Sequence, residues 1–287
     1  MRVRAHAKVN LCLRVLARRD DGYHDVDTVL HGVSLADEIE VVEDRPGEVH
    51  VTARAGAPVG VLPDAEDDLV ARAAGALAAR SERPVGARIE VVKRIPVGAG
   101  LGGGSSDAAA TLLALNDLWG LHLGRAELAE VAGRLGSDVP YFLSGATMRA
   151  RGRGEVLSPM RVRGPLWFVL GLSTSPLLTQ QVYARWSPRA RDRDGAGLAA
   201  ALASGDPAAV ARVLRNDLEE AAFELRPELP EAKRALLEAG ALGALVSGSG
   251  PTLFGVARDR AHAAAVAGAV AGAFDRTEIV ASTTPSR

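Results

Sequence analysis

At the start of the chain Val3, Ala5, Ala7, Val9, Leu11, Leu13 and Val15 alternate with Arg2, Arg4, His6, Lys8, Asn10, Cys12 and Arg14. A period of two predicts a strand with one apolar and one polar face, and it puts Lys8 and Asn10 on the same side. Further strands are predicted over 26–35, 38–43, 48–53 and 87–95. Apolar residues at helical spacing predict helices over 64–80, 105–119 and 125–135. Beyond residue 157 the character changes. A strand over 167–172 is followed by Ala-rich helices to about 239, strands over 242–246 and 252–257, a helix from 260 and a last strand near 278–281. Strands and helices kept apart in this way predict an α+β fold with two domains. The division is placed at 1–158 and 159–287, where Ser158, Pro159, Gly164 and Pro165 cluster. The run 187–197, rich in Arg, Asp and Gly, reads as a loop.

The chain has 287 residues, 47% of them hydrophobic, which is enough for a large core without covalent staples. A formal net charge of −1 argues against a broad nucleic-acid surface. Cys12 is the only cysteine, so no intrachain disulfide or cysteine zinc cluster is expected, and a cytoplasmic setting fits. No apolar leader opens the sequence, and the stretch 263–274 is too short to span a bilayer, so no membrane is expected. The six histidines are scattered, which disfavours a dedicated metal cage. Only Lys8, Lys93 and Lys233 among 34 basic residues are lysine. In a chain that defaults to arginine, each lysine is a position to examine for a compact ammonium.

The densest chemical signal is the run of five glycines in Gly98-Ala99-Gly100-Leu101-Gly102-Gly103-Gly104, after Pro96-Val97 and before Ser105-Ser106-Asp107. It follows a predicted strand and opens a predicted helix. Glycines let backbone amides approach an anion closely, and a helix N-terminus adds unpaired N–H groups and partial positive charge. The segment is therefore suited to phosphate. A Walker A loop is excluded because the run contains no lysine. The spacing of Gly98, Gly100 and Gly103 also matches a dinucleotide fingerprint, but the preceding strand carries Lys93, Arg94 and Pro96 and no βαβ unit is evident. A plain connector with Ser105 or Ser106 as helix cap is the simplest alternative.

Five segments occur together: AKVNLCLRV at 7–15, DGYH at 21–24, PVGAGLGGGSSDAA at 96–109, LGSDVPYFLSG at 135–145 and VSGSGPTLF at 246–254. In this set and order the chain resembles the GHMP kinases, which transfer a phosphoryl group from ATP to small alcohols. The resemblance implies a ribosomal-S5-like N-terminal domain and a ferredoxin-like C-terminal domain with a cleft between them. ATP, accompanied by Mg²⁺, would lie on Pro96, Val97, Gly98, Ala99, Gly100, Leu101, Gly102, Gly103, Gly104, Ser105 and Ser106, and the Ser105 or Ser106 hydroxyl could serve the metal. Lys8 and Asp138 would meet at the reacting hydroxyl as the catalytic pair. A nearby ammonium would keep Asp138 ionised, ready to accept the hydroxyl proton.

The triple glycine before two serines and the DGYH turn narrow the resemblance to members that act on the 2-hydroxyl of a diphosphocytidyl sugar alcohol in non-mevalonate isoprenoid synthesis. Tyr23 and His24 would then recognise cytosine, with Asn10, Asp138 and Thr174 as further contacts of this small cytidylyl substrate. The segment 246–254 would face the phosphate loop. Three departures stand out: His6 where the family usually has proline, Asp68-Leu69 in place of Asn-Leu near the purine, and leucines over 172–179 where the family offers a second aromatic wall. Read from the residues alone, the simpler alternatives are a turn aspartate for Asp138, a solvated strand lysine for Lys8 and a tight hairpin for 247–252. A kinase of another alcohol such as homoserine, a dinucleotide-dependent oxidoreductase and a nucleotide-binding sensor remain alternatives. The first of these would not need DGYH.

Overall fold

In a computed structural model of the chain, residues 1–62, 68–188 and 196–283 are described. Strands β1 (Arg2–Arg18) and β2 (His24–Glu43) form one long antiparallel ribbon. β2 unites the two runs predicted at 26–35 and 38–43. Its residues Ser34 and Leu35 bulge out of register opposite the His6–Ala7 step, so the polar break bends the strand without ending it. The central polar positions of β1 are not solvated: Lys8, Asn10 and Cys12 are buried like Val9 and Leu11, whereas Arg2 and Arg4 stay exposed. Along its length β1 serves two cores: Ala5 packs into one, and Ala7, Val9 and Leu11 pack into another.

β3 (Val49–Ala55) runs parallel to β4 (Ala87–Lys93), which pairs antiparallel with β2. Helices α1 (Leu69–Ala78), α2 (Gly103–Leu118) and α3 (Arg125–Leu135) cover one face of this sheet. Fully buried Leu77, Ile89, Leu112 and Leu115 anchor that core, each worth about 1.5–3 kcal/mol. The helix predicted from residue 64 begins at Leu69, capped by the Asp68 carboxylate on the Val70 amide; residues 63–67 lie outside the described residues. α3 leads into the short α4 (Val139–Phe142). The hairpin β5 (Met148–Gly152) and β6 (Val156–Pro159), not anticipated from the pattern, pairs with the first half of β2.

The second sheet has the order β11-β7-β10-β9 and is antiparallel throughout. β7 (Trp167–Leu172) is followed by α5 (Thr179–Arg185), α6 (Ala196–Ser204) and α7 (Pro207–Arg212). The two-residue β8 (Arg215–Asn216) then joins the first sheet parallel to β1. Next come α8 (Glu219–Leu225), α9 (Leu229–Glu238), β9 (Ala244–Val246), β10 (Leu253–Ala257), α10 (Arg260–Ala269) and β11 (Arg276–Ala281). Two βαβ-type crossovers with this strand order make the ferredoxin-like arrangement implied by the resemblance. Contrary to the reading of the sequence, a parallel βαβ unit, β3–α1–β4, does precede the glycine loop, but the loop follows the second strand of that unit instead of joining its first strand to its helix, as a dinucleotide fingerprint does. The loop expected at 187–197 falls mostly outside the described residues, and Ala196 and Gly197 open α6. Among the described residues no helix is long and apolar enough to cross a membrane.

Candidate active site

A cleft of about 1470 Å³ runs along the start of α2, β1, the turn between β1 and β2, and α5. The glycine loop forms one wall. Gly100 (φ +74°) and Gly102 (φ +72°) hold left-handed conformations, and a Cβ on Gly100 would stand 2.1 Å from the Ser247 carbonyl oxygen. The loop's carbonyls are turned into the protein. Those of Gly98, Ala99, Leu101 and Gly102 accept from the amides of Leu177, Thr252, Lys8 and Ser106, and that of Gly100 accepts from Lys8 Nζ and Ser247 Oγ. The amides are left as the unspent side of the loop, ahead of a 16-residue helix whose N-terminus adds its own. Gly102, not a serine, occupies the helix cap. Ser106 donates its hydroxyl to the His6 carbonyl at 2.7 Å. Within the loop, Pro96 to Gly100 and Gly102 to Ser105 line the cleft, whereas Leu101 is buried in the core behind it and Ser106 is turned away.

Three of the five segments converge on one ammonium. Lys8 Nζ donates to Asn10 Oδ1 and to the Gly100 carbonyl, both at 2.7 Å, and lies 3.3 Å from where a Cβ on Gly248 would stand. The same-side placement read from the period of two is thus met. Asn10 is spent on orienting the lysine: its Nδ2 donates to Thr28 Oγ1, which in turn donates to the Cys12 carbonyl. Burial pulls the Lys8 pKa down, partly opposed by the negative charge of Asp138. Asp138 stands in the turn between α3 and α4, its carboxylate unused as a cap, facing the same cleft. The two do not form a direct ion pair. The lysine's bonds go to Asn10 and Gly100, and the space between lysine and aspartate belongs to the cleft.

Lys93 explains why a buried strand carries a charge. Its ammonium lies 2.5 Å from both Asp37 Oδ2 and Asp107 Oδ2, and Asp37 Oδ1 takes the amides of Arg94 and Ile95. Strand exit and helix start are thereby tied together beneath the loop. Burial, with Asp37 close by, pushes the Asp107 carboxyl up.

At the other end Tyr23 and His24 line the cleft as expected. The His24 ring lies 5.0 Å from Tyr183 and 5.6 Å from Trp186. Burial and the charge of Arg18 lower the His24 pKa, which favours the neutral ring. Tyr183 on α5 and Trp186 just after it were not anticipated, because the second aromatic was sought only over 172–179. Two rare aromatics at helical spacing were the available signal. Thr174 is not part of the cleft lining; its amide and hydroxyl both donate to Asp275. The segment 247–252 is the turn from β9 to β10, and Gly248 and Ser249 reach the cleft.

Residues 68–146 match the family model "GHMP kinases N terminal domain", and residues 198–276 match "GHMP kinases C terminal". A 4-diphosphocytidyl-2-C-methyl-D-erythritol kinase from Symbiobacterium thermophilum is 45% identical over 91% of this chain and 92% of its own length. One of the same name from Salinispora arenicola is 44% identical over 93% of this chain and 86% of its own. A crystal structure of 4-(cytidine 5'-diphospho)-2C-methyl-D-erythritol kinase superposes with a TM-score of 0.84 at 38% identity, covering 99% of this chain and 100% of that one. With a lysine-free glycine loop, a lysine held against it and both family models in register, the chain belongs to the GHMP kinase family.

Proposed function

We propose that the chain transfers the γ-phosphoryl group of ATP to the 2-hydroxyl of 4-diphosphocytidyl-2-C-methyl-D-erythritol in the cytoplasm. The observation that carries the reading is the position of Lys8, whose ammonium touches the phosphate loop on one side and opens to Asp138 on the other. The amides of 98–105 hold the phosphates. Asp138 takes the proton as the hydroxyl oxygen bonds to the γ-phosphorus and the bridging P–O bond to ADP breaks. Lys8 balances charge on the moving group, which suits a loose transition state governed by position and electrostatics. Cytosine stacks between Tyr23 and Tyr183, with the neutral His24 ring offering a hydrogen bond to its edge.

Mg²⁺ enters with ATP. Among the described residues there is no cluster of three His, Cys, Asp or Glu side chains that would hold it alone. The site does offer hard oxygen donors: Ser105 lines the cleft, and Asp107, also lining it, has a buried Oδ1 without a hydrogen-bond partner. Ser105 and Asp107 would hold the ion, which would supply neutralisation of charge on the transferring phosphates. Coupled ADP release with ATP, Mg²⁺ and, in separate reactions, the cytidylylated methylerythritol, homoserine or mevalonate tests the assignment. Turnover with the first alone is expected. Turnover with homoserine or mevalonate alone would overturn the substrate while leaving a kinase.

A further inference from the structure

We propose that Arg153 recognises the diphosphate of the cytidylyl substrate, a specificity role that rests on the function proposed above. The substrate's base and its reacting hydroxyl are joined by two phosphates, so a dianion must lie between Tyr23 and Asp138. The tip of the β5–β6 hairpin spans that interval. The guanidinium carbon of Arg153 lies 5.3 Å from the centre of the Tyr23 ring, and a Cβ on its neighbour Gly154 would stand 3.8 Å from Asp138 Oδ1.

The turn is built to present this side chain. Gly154 is buried with φ +118°, a conformation that side-chain-bearing residues rarely adopt. Glu155, the nearest acid in sequence, spends its Oε2 on the Arg153 amide at 2.6 Å and not on the guanidinium. No hydrogen bond or ion pair to the Arg153 side chain occurs among the described residues, and the side chain is exposed at the cleft. The other cations nearby are committed or misplaced for this task. Lys8 is held by Asn10 and Gly100, Arg19 by Asp21 and Asp25, and Arg18 pairs across the ribbon with His24, beside the base. A planar guanidinium resting on an aromatic face keeps its donor edges free for a bidentate contact with phosphate oxygens.

Titration calorimetry of the whole chain with CDP and with cytidine, in wild type, R153Q and R153K, tests the proposal, because the two ligands differ only in the diphosphate. R153Q is expected to weaken CDP about tenfold, the loss of one charge-assisted contact, and to leave cytidine within about twofold. R153K should recover part of the difference. In turnover, R153Q should raise KM for the cytidylyl substrate with kcat and the KM for ATP unchanged. Equal weakening of both ligands would show that Arg153 acts only by steadying Tyr23 and would overturn the proposal, as would no weakening of either. Lack of turnover by the wild type on the cytidylyl compound would instead sink the proposed function, and the comparison of CDP with cytidine would still decide the role of Arg153.

Discussion

Replacing Lys8 by Met removes a charge while keeping most of the side chain's length and apolar volume. In the folded protein the change orphans little. The Gly100 carbonyl keeps Ser247 Oγ at 3.0 Å, so only Asn10 Oδ1 loses its donor. A buried acceptor without a partner costs about 1–3 kcal/mol. Against that, the substitution relieves the burial penalty that pulls the lysine's pKa down. The two effects oppose each other, so Tm should move by only a few degrees, at roughly 2–4 °C per kcal/mol for a chain of this size. Catalysis has no such compensation. A preorganised donor aimed at developing charge is worth about 2.7–4 kcal/mol, or ~10²–10³ in kcat. Steady-state ADP release beside a circular-dichroism melt separates the two outcomes. Folded Lys8→Met with kcat within about threefold of wild type would refute the reasoning, as would a collapse of the fold that accounts for the lost activity.

Asp138→Asn should lower kcat by at least ~10²-fold with the melt unchanged, since its carboxylate caps no helix amide; near-normal turnover would remove it from the chemistry. Tyr183→Ala should raise KM for the cytidylyl substrate and leave KM for ATP alone, measured by varying each in turn. Gly100→Ala places a methyl against the Ser247 carbonyl in a left-handed conformation, so nucleotide affinity should fall sharply in a binding titration. His31, buried between Thr147 and Ser282, has its pKa lowered by burial from 6.5 to about 4. A depressed folded value means that its stabilisation is complete above the unfolded value and is lost as pH falls from 6.5 towards 4, a contribution of about 3 kcal/mol. Chemical denaturation across that window should show a steeper loss in wild type than in His31→Gln, and identical slopes would contradict the assignment.

The loop, the lysine and the aspartate could be singled out because each sits in a short segment whose chemistry is local: a glycine run, a period-two strand, a turn after a predicted helix. The fold class followed from the same patterns. What stayed hidden depended on packing between distant segments. The alternation in β1 predicted a polar face carrying Lys8 and Asn10, yet the glycine loop and the turn at Gly248 close over that face while the second sheet covers the apolar one, and burial is what lowers the Lys8 pKa. The bulge at Ser34–Leu35 erased a strand boundary that polarity suggested. Lys93, read as evidence against a buried strand, is instead neutralised by Asp37 and by Asp107 from 14 residues downstream. Tyr183 and Arg153 escaped notice because nothing in their own segments says that α5 and the β5–β6 hairpin close over the DGYH turn.

The account stands most directly on where the phosphate goes. ATP labelled with ³²P in the γ position, Mg²⁺ and the cytidylylated methylerythritol are incubated with the protein, and the labelled product is located by chromatography and phosphorus NMR. Label on the 2-hydroxyl of the acceptor, in a one-to-one ratio with ADP, is the predicted result. Label released only as inorganic phosphate, or fixed at another hydroxyl, would contradict the arrangement of Lys8, Asp138 and the glycine loop described above.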